Sequence, residues 1–86
     1  WHIPIAFHDC TGPVTLTAST HLALANSNCQ IQEIVRAFYY GWYESLVTEL
    51  PNIQKGYIDV PEGNGIGLSL NKEVYDRPDV QIKSSK

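Results

Sequence analysis

The 86-residue sequence has few cysteines, few positive charges and no long apolar run. Two cysteines are too few for a small secreted domain held together by several disulfides. Six lysines and arginines, with a net charge of −3, argue against a nucleic-acid binder, whose affinity depends on phosphate contacts. No apolar stretch approaches the roughly 18–20 residues that cross a bilayer, so we expect no membrane-spanning segment.

The chain is nevertheless rich in residues that build a core. It is 43% hydrophobic and 10% aromatic, which excludes a disordered chain. A domain of this length buries only about 60–65% of the surface that its unfolded chain exposes, so a core formed by this chain alone would be marginal. The chain opens at Trp1 without a charged n-region, and no signal peptide is expected. These features predict an internal segment of a longer cytoplasmic polypeptide.

The first 33 residues predict a strand, a helix and a second strand. Residues 2–7 are almost entirely apolar, with Pro4 close to the start of the strand. Gly12 and Pro13 are favourable at the N-cap and the first position of a helix. Cys29–Glu33 is the second strand. The expected apolar stripe of the helix consists of Val14, Ala18, Leu22 and Ala25, widened by Leu16, Ala23 and Leu24. A βαβ unit with parallel strands is therefore predicted.

Shorter elements are predicted beyond the second strand. The aromatic-rich segment that follows favours a short helix over Gly41–Leu50, ended by Pro51. Lys55 and Gly56, between two short apolar runs, are typical of a hairpin turn. The last predicted elements are a glycine-rich loop (Pro61–Gly67), a short strand (Leu68–Leu70) and a polar tail expected to fray (Asp76–Lys86).

Two candidate site residues follow the two predicted parallel strands. His8 and Glu33 stand at the carboxyl ends of these strands, where α/β proteins gather binding and catalytic groups. A helix of about 12–13 residues runs back about 19 Å, and a five-residue strand returns about 16 Å. Both residues should therefore emerge at the same end of the sheet. A histidine beside a carboxylate suits acid–base chemistry near neutral pH, and a structural pair is the alternative.

Two further residues are candidates for substrate contacts. Asp9 could line the same end of the sheet, although loop aspartates more often accept hydrogen bonds from backbone N–H groups. Arg36 could bind a substrate carboxylate or pair with a neighbouring acid, and the second interpretation is favoured. His21, inside the helix, is expected at the surface or hydrogen-bonded.

The predicted geometry also separates the two cysteines. Cys10 follows the end of one strand and Cys29 begins the next strand at its opposite end. This places them beyond the Cα separation of about 7 Å that a disulfide allows, so two buried free thiols are expected.

The run from Gly63 to Gly67 contains three glycines, as nucleotide-binding loops often do. A dinucleotide fingerprint requires a strand before it and a helix after it, whereas Leu68–Leu70 is predicted to be extended. The lysine of a phosphate-binding loop is also missing from the run. A structural turn with positive φ at glycine is therefore the preferred interpretation.

Three further stretches stand out together, namely Ala6–Pro13, Ile31–Glu33 and Val60–Gly67. In order and spacing they resemble the C-terminal part of mandelate racemase/muconate lactonizing enzyme-type members of the enolase superfamily, and among these the galactonate-like acid-sugar dehydratases. The resemblance implies an α/β fold, a modified (β/α)7β TIM barrel with an α+β capping domain. Residues 1–50 would supply the last two barrel strands with their helix, and residues 51–86 would return to the cap.

The resemblance further implies an enzyme that dehydrates a sugar acid through an enediolate. His8 would protonate the departing 3-hydroxyl, and a protonated Glu33 would hydrogen-bond the substrate carboxylate. Mg2+ would be held by strands outside this segment. The implied partners are the substrate, the rest of the same polypeptide and further copies in a homo-oligomer.

Two alternatives stay open from the sequence. A racemase or epimerase of an α-hydroxy acid would use the same enediolate, with His8 as one of two bases. A non-catalytic interaction module would instead use the aromatic residues from Phe38 to Tyr43 as a partner surface, since tyrosine and tryptophan are enriched in binding hot spots.

Overall fold

The computed structural model describes residues 2–85. Trp1, the first residue of the predicted barrel segment, and Lys86, the last residue of the predicted tail, lie outside the described residues. A two-stranded parallel sheet and a two-stranded antiparallel hairpin are joined by helices and loops. In the described part of the chain, no helix is long and apolar enough to span a membrane. The elements are β1 (Ile5–Phe7), α1 (Pro13–Ala25), β2 (Cys29–Gln32), α2 (Arg36–Phe38), a π-helical turn (Tyr39–Tyr43), α3 (Glu44–Leu46), β3 (Ile53–Gln54), β4 (Tyr57–Ile58) and a 3₁₀-helix (Lys72–Asp76).

The parallel pairing of β1 and β2 confirms the predicted topology. β1 begins later than predicted, because Pro4 has no backbone N–H to give to the sheet. The first ladder bond comes from the Ile5 N–H, which donates to the carbonyl of Asn28 at 3.0 Å. β2 likewise ends just before Glu33 rather than including it.

Helix α1 begins where the sequence predicts but buries a different face. Gly12 is its N-cap and Pro13 its first residue. The predicted apolar stripe is wrong for Val14 and Leu22, which are 42% and 53% exposed, and correct for Leu16, which is fully buried. The buried face consists of Pro13, Leu16, Thr17 and Thr20. Both buried threonine hydroxyls donate at 2.8 Å to helix carbonyls four residues earlier, so their burial leaves no hydroxyl unpaired.

The helix after β2 starts earlier than the predicted Gly41–Leu50. α2, the π-helical turn and α3 follow one another without a break over residues 36–46, here called the aromatic helix. The N–H groups of Phe38 and Tyr39 already donate to the Val35 carbonyl, at 2.9 and 3.0 Å. Glycine in the middle of this segment therefore does not mark the start of the helix.

A β-bridge, rather than a proline, ends the aromatic helix. Val47 is extended and pairs antiparallel with Leu70. Beside this pair, the Thr48 N–H donates to the Ser69 carbonyl at 2.9 Å. The predicted strand Leu68–Leu70 is thus reduced to one bridge. Its partner lies more than twenty residues away, which explains why local sequence did not predict it.

The hairpin of β3 and β4 confirms the turn prediction. Lys55 and Gly56 connect the strands with φ of 50° and 80°, and a type I′ turn requires positive φ at both positions. In the loop Pro61–Gly67 each glycine also has positive φ. The loop leads into extended chain and the Val47–Leu70 bridge rather than a helix, which agrees with a structural turn.

Candidate functional site

His8 and Glu33 leave the parallel sheet at the same end. They directly follow Phe7 and Gln32, which lie opposite each other in the strand register. The Glu33 N–H donates to the Phe7 carbonyl at 2.7 Å, which extends the pairing to the candidate residue itself. Both candidate residues are exposed in this chain. The backbone therefore brings them to one sheet end, as the spacing predicts.

The side chain of Gln32 hydrogen-bonds backbone carbonyls at this sheet end. Its Nε2 donates to the carbonyls of Phe7 at 3.4 Å and Glu33 at 2.9 Å. Its Oε1 is buried and has no partner among the described residues. A buried acceptor without a partner costs about 1–3 kcal/mol, so we expect a donor outside this chain to reach it.

Cys10 lies beside His8, a contact that the sequence analysis missed. The Cys10 Sγ is 4.0 Å from the His8 Nδ1. Both cysteines are free, which confirms that they form no disulfide. The expectation of buried thiols is wrong for Cys10, which is exposed, while Cys29 is half-buried. The two-residue spacing from His8, in the loop just after β1, is the feature that could have indicated this neighbour.

Asp9 is buried and fully engaged. It is 1% exposed. Its Oδ1 accepts hydrogen bonds from the N–H groups of Thr11 and Gly12 at 3.3 and 3.4 Å, and its Oδ2 accepts one from the Tyr43 hydroxyl at 2.9 Å. The structure therefore shows the backbone-accepting role, and it does not present Asp9 to a substrate.

Tyr43 is the second residue that the sequence analysis did not single out. It is 0% exposed, and its ring lies edge-on to Trp42 at a centroid distance of 4.7 Å. Burial first, and then the hydrogen bond to Asp9, raises the pKa of Tyr43. It therefore stays a neutral phenol that donates its proton to the carboxylate. No local pattern could indicate this pair, whose members are 34 residues apart.

Arg36 does not form the favoured ion pair. Its guanidinium lies over the ring of Tyr40, 5.5 Å from the centroid. Within residues 2–85 the ion pair is formed by Arg77 and Asp79. A cation–π contact at an exposed position contributes about 0.5–1 kcal/mol, so Arg36 is held on the aromatic helix rather than by an acid.

His21 is hydrogen-bonded, as expected, and links two regions. Its Nε2 lies 2.9 Å from the carbonyl oxygen of Ile66 in the glycine-rich loop. As for metals, the described residues contain no group of three or more His, Cys, Asp or Glu side chains that could hold an ion. His8 and Glu33 therefore do not form a metal centre with other residues of the described segment.

Two curated dehydratases are similar to the chain. D-xylonate dehydratase of Haloferax volcanii is 34% identical over 76 residues, covering 88% of this chain and 18% of the relative. D-gluconate dehydratase of Thermoproteus tenax is 21% identical over 75 residues, covering 87% of this chain and 15% of the relative. The chain thus spans less than a fifth of the length of these curated relatives.

Solved structures give a stronger likeness. An enolase of the mandelate racemase subgroup from Agrobacterium tumefaciens is 51% identical, with a TM-score of 0.79 over 88% of this chain and 20% of that one. An enolase from the environmental genome shotgun sequencing of the Sargasso Sea is 42% identical, with a TM-score of 0.78 and the same coverage.

These neighbours confirm the predicted fold class, an α/β segment of an enolase-superfamily TIM barrel. The division between residues 50 and 51 stays a prediction. A family model described as enolase C-terminal domain-like matches residues 1–74, most of the chain. The chain is a member of the enolase C-terminal domain-like family.

Proposed function

We propose that the chain is the C-terminal part of a magnesium-dependent dehydratase that acts on a sugar-derived acid. The observation that carries this proposal is the shared sheet end, where paired Phe7 and Gln32 are followed by His8 and Glu33. The names of the two curated relatives support an enzyme and favour dehydration of a sugar acid. The same names weigh against a non-catalytic interaction module.

The proposed reaction needs one proton removed and one delivered. A base outside the described residues takes the proton α to the carboxylate, and the electron pair moves into the carboxylate to give an enediolate. The enediolate then expels the 3-hydroxyl, which leaves as water once it is protonated. The resulting enol tautomerises to a 2-keto acid, so the reaction releases one water and needs no oxidant.

His8 is the proposed proton donor for the departing hydroxyl. An imidazolium can deliver a proton near neutral pH, and general acid catalysis contributes about 10²–10⁴-fold to a rate. Glu33, in its protonated form, is proposed to hydrogen-bond a carboxylate oxygen of the substrate. Arg36 is held over Tyr40 and is at most an outer contact for the substrate.

Magnesium is proposed because enolase-superfamily members generally use it. The described residues do not fit the ion by themselves, since no three possible ligands come together. Its ligands are therefore proposed to lie in the rest of the polypeptide. Chelation of the full-length enzyme should abolish activity, and added Mg2+ should restore it. The homo-oligomeric state and the cytoplasmic location stay predictions.

The proposed function is tested on the full-length protein. Purified enzyme is screened against aldonates and aldarates for 2-keto acid formation, and the best substrate is used for variants. We expect His8→Asn to lower kcat by about 10²–10⁴-fold. His21→Asn is the matched control, since His21 bonds a loop carbonyl away from the sheet end, and its kcat should stay near the parent value. Normal dehydration by His8→Asn would exclude His8 from the chemistry.

A racemase or epimerase is the second candidate, and one observation favours it. The solved neighbour from Agrobacterium tumefaciens is described as a member of the mandelate racemase subgroup. Such an enzyme would form the same enediolate and return a proton to carbon. NMR in deuterium oxide separates the two reactions: deuterium exchange at the α carbon without a keto product indicates epimerisation, and a keto product indicates dehydration.

A further inference from the structure

We propose that Tyr43 is a positioning residue for His8, acting through its hydrogen bond to Asp9. This inference rests on the proposed role of His8 in the intact enzyme. It concerns a buried link between the segments that leave the two strands. One segment is the loop after β1, which carries His8 and Asp9, and the other is the aromatic helix, which begins three residues after Glu33.

The link is anchored firmly on the side of the aromatic helix. Tyr43 has no exposed surface. Its ring centroid lies 6.1 Å from that of Phe38 and 4.7 Å from that of Trp42, both from the same helix. Its hydroxyl is therefore presented from a packed aromatic cluster, and it cannot turn to solvent without leaving that cluster.

The link is equally well anchored on the side of the loop. The Asp9 carboxylate bonds the N–H groups of Thr11 and Gly12 with one oxygen and Tyr43 with the other. Consecutive Cα atoms are about 3.8 Å apart, so a displacement of Asp9 is transmitted directly to His8. The loop that carries His8 is thereby held at one end by β1 and at the other by the aromatic helix.

A purely stabilising role does not explain why a carboxylate and a hydroxyl, rather than two apolar groups, are buried at this position. Burying a carboxylate and a hydroxyl is costly unless both are hydrogen-bonded, and an apolar pair of the same size commonly stabilises as well or better. A directional bond between fixed groups does define one position for the loop. Catalysis needs such definition, since a misplacement of about 1 Å can cost about 10²-fold in rate.

The phenol is also suited to hold this position over the working pH range. Because burial and the hydrogen bond to Asp9 raise the pKa of Tyr43, it remains a donor throughout neutral pH. The groups facing it are the Asp9 carboxylate, with the Cys10 thiol nearby. A pH dependence of the rate near neutrality is then expected from the reacting groups and not from this link.

The test compares two tyrosine hydroxyls of the same helix in the full-length enzyme. Tyr43→Phe removes the hydroxyl that bonds Asp9. The matched control, Tyr39→Phe, removes a hydroxyl that bonds the Pro51 carbonyl at 2.6 Å, away from the β1 loop. Both variants lose one partly or fully buried hydrogen bond, and both should lower the melting temperature.

The expected difference lies in kcat and in hydrogen exchange. Tyr43→Phe should lower kcat about 10- to 100-fold while KM changes less than about threefold, because the proton donor is misplaced rather than the substrate contacts. Amide exchange measured by mass spectrometry should quicken at Thr11 and Gly12. Tyr39→Phe should leave kcat and this exchange unchanged. Equal kcat values for Tyr43→Phe and the parent enzyme would overturn the proposal.

A substitution of Asp9 keeps the proposal testable if Tyr43→Phe does not fold. Asp9→Ser keeps a short acceptor but does not reach Tyr43, so kcat should fall as for Tyr43→Phe. Full kcat in Asp9→Ser would also overturn the link.

Failure of this inference can be told from failure of the proposed function. If the parent enzyme converts no sugar acid while Tyr43→Phe still quickens exchange at Thr11 and Gly12, the link stands and the proposed function is wrong. If the parent enzyme is active and Tyr43→Phe changes neither kcat nor exchange, the function stands and the link is wrong.

Discussion

Residues 2–50 and residues 51–85 differ in what holds their structure. The first region contains almost all of the buried residues. These are Asp9, Pro13, Leu16, Thr17, Thr20, Tyr43 and Val47, whereas the second region contributes Pro51. The first region is therefore held by side-chain packing. The second depends on its turns, on glycines with positive φ and on a few bonds to the first region.

Those bonds join the two regions at three places, and the first is the Tyr39 hydroxyl, which donates to the Pro51 carbonyl at 2.6 Å. His21 on α1 bonds the Ile66 carbonyl in the glycine-rich loop. Farther along, Val47 pairs with Leu70 in the bridge that ends the aromatic helix. The second region, which has few buried residues, is thus positioned by hydrogen bonds to the first region rather than by side-chain packing.

Both regions also expose large apolar side chains. Ile31 of β2 is 61% exposed and Tyr57 of the hairpin is 77% exposed. Exposed apolar surface of this kind is typical of interaction sites. This chain spans only about a fifth of the length of its relatives. We therefore expect other parts of the polypeptide to cover both apolar surfaces.

The largest effect on stability is expected in the core of the first region. Leu16 is fully buried, so Leu16→Ala should lower the free energy of unfolding of the full-length protein by about 2–5 kcal/mol. Leu22→Ala, on the exposed face of the same helix, is the matched control and should cost less. Thermal or urea unfolding measures both. Equal losses would mean that the rest of the protein covers Leu22 as closely as this chain covers Leu16.

The second region should be most sensitive at a glycine. A Cβ at Gly67 would lie 2.5 Å from the Glu62 carbonyl oxygen, and Gly67 has φ of 90°. Gly65 has φ of 63° and open space around it, so Gly65→Ala should cost about 1–2 kcal/mol. Gly67→Ala should cost more and lower the melting temperature further.

The dependence of activity on Mg2+ concentration should stay unchanged in both glycine variants, because the ligands are proposed to lie elsewhere. Loss of nucleotide binding without loss of stability would instead identify the loop as a phosphate cradle. That result would contradict the structural role given to these glycines.

An alkaline titration probes the buried phenol of the first region. A raised tyrosine pKa contributes stability that is fully present below the ordinary value of about 10 and is lost as the pH rises above it. Above pH 10, Tyr43→Phe should therefore lose stability less steeply than the parent, by up to about 1.4 kcal/mol per pH unit. Urea unfolding between pH 8 and about 11 measures this slope. Parallel curves of unfolding free energy against pH for the two proteins would show that Tyr43 ionises as readily in the folded protein as in the unfolded one.

The smallest effect is expected at the exposed ion pair of the second region. Arg77 and Asp79 form two hydrogen bonds at 2.7 and 2.8 Å, and both side chains face solvent. Exposed pairs contribute little, because solvent and salt screen them. Asp79→Asn should leave the melting temperature unchanged within error. A clear decrease would indicate that the rest of the protein buries this pair.

Local sequence was sufficient to predict the structural features that depend on neighbouring residues alone. Gly12 and Pro13 mark the start of α1, and Lys55 with Gly56 supplies the turn of the hairpin. The parallel pairing follows from element order and length, and with it the placement of His8 and Glu33 at one sheet end. Steric limits and chain geometry act over a few residues, so these features can be derived from the sequence.

Tertiary structure decided the features that depend on distant partners. The bridge with Leu70 ends the aromatic helix at Val47, and packing buries Leu16 of α1 together with two threonines rather than the whole apolar stripe. Asp9 and Tyr43 are 34 residues apart and meet only in the folded chain. A buried hydroxyl or carboxylate is stable wherever a partner satisfies it, and such partners are set by three-dimensional proximity rather than by spacing along the chain.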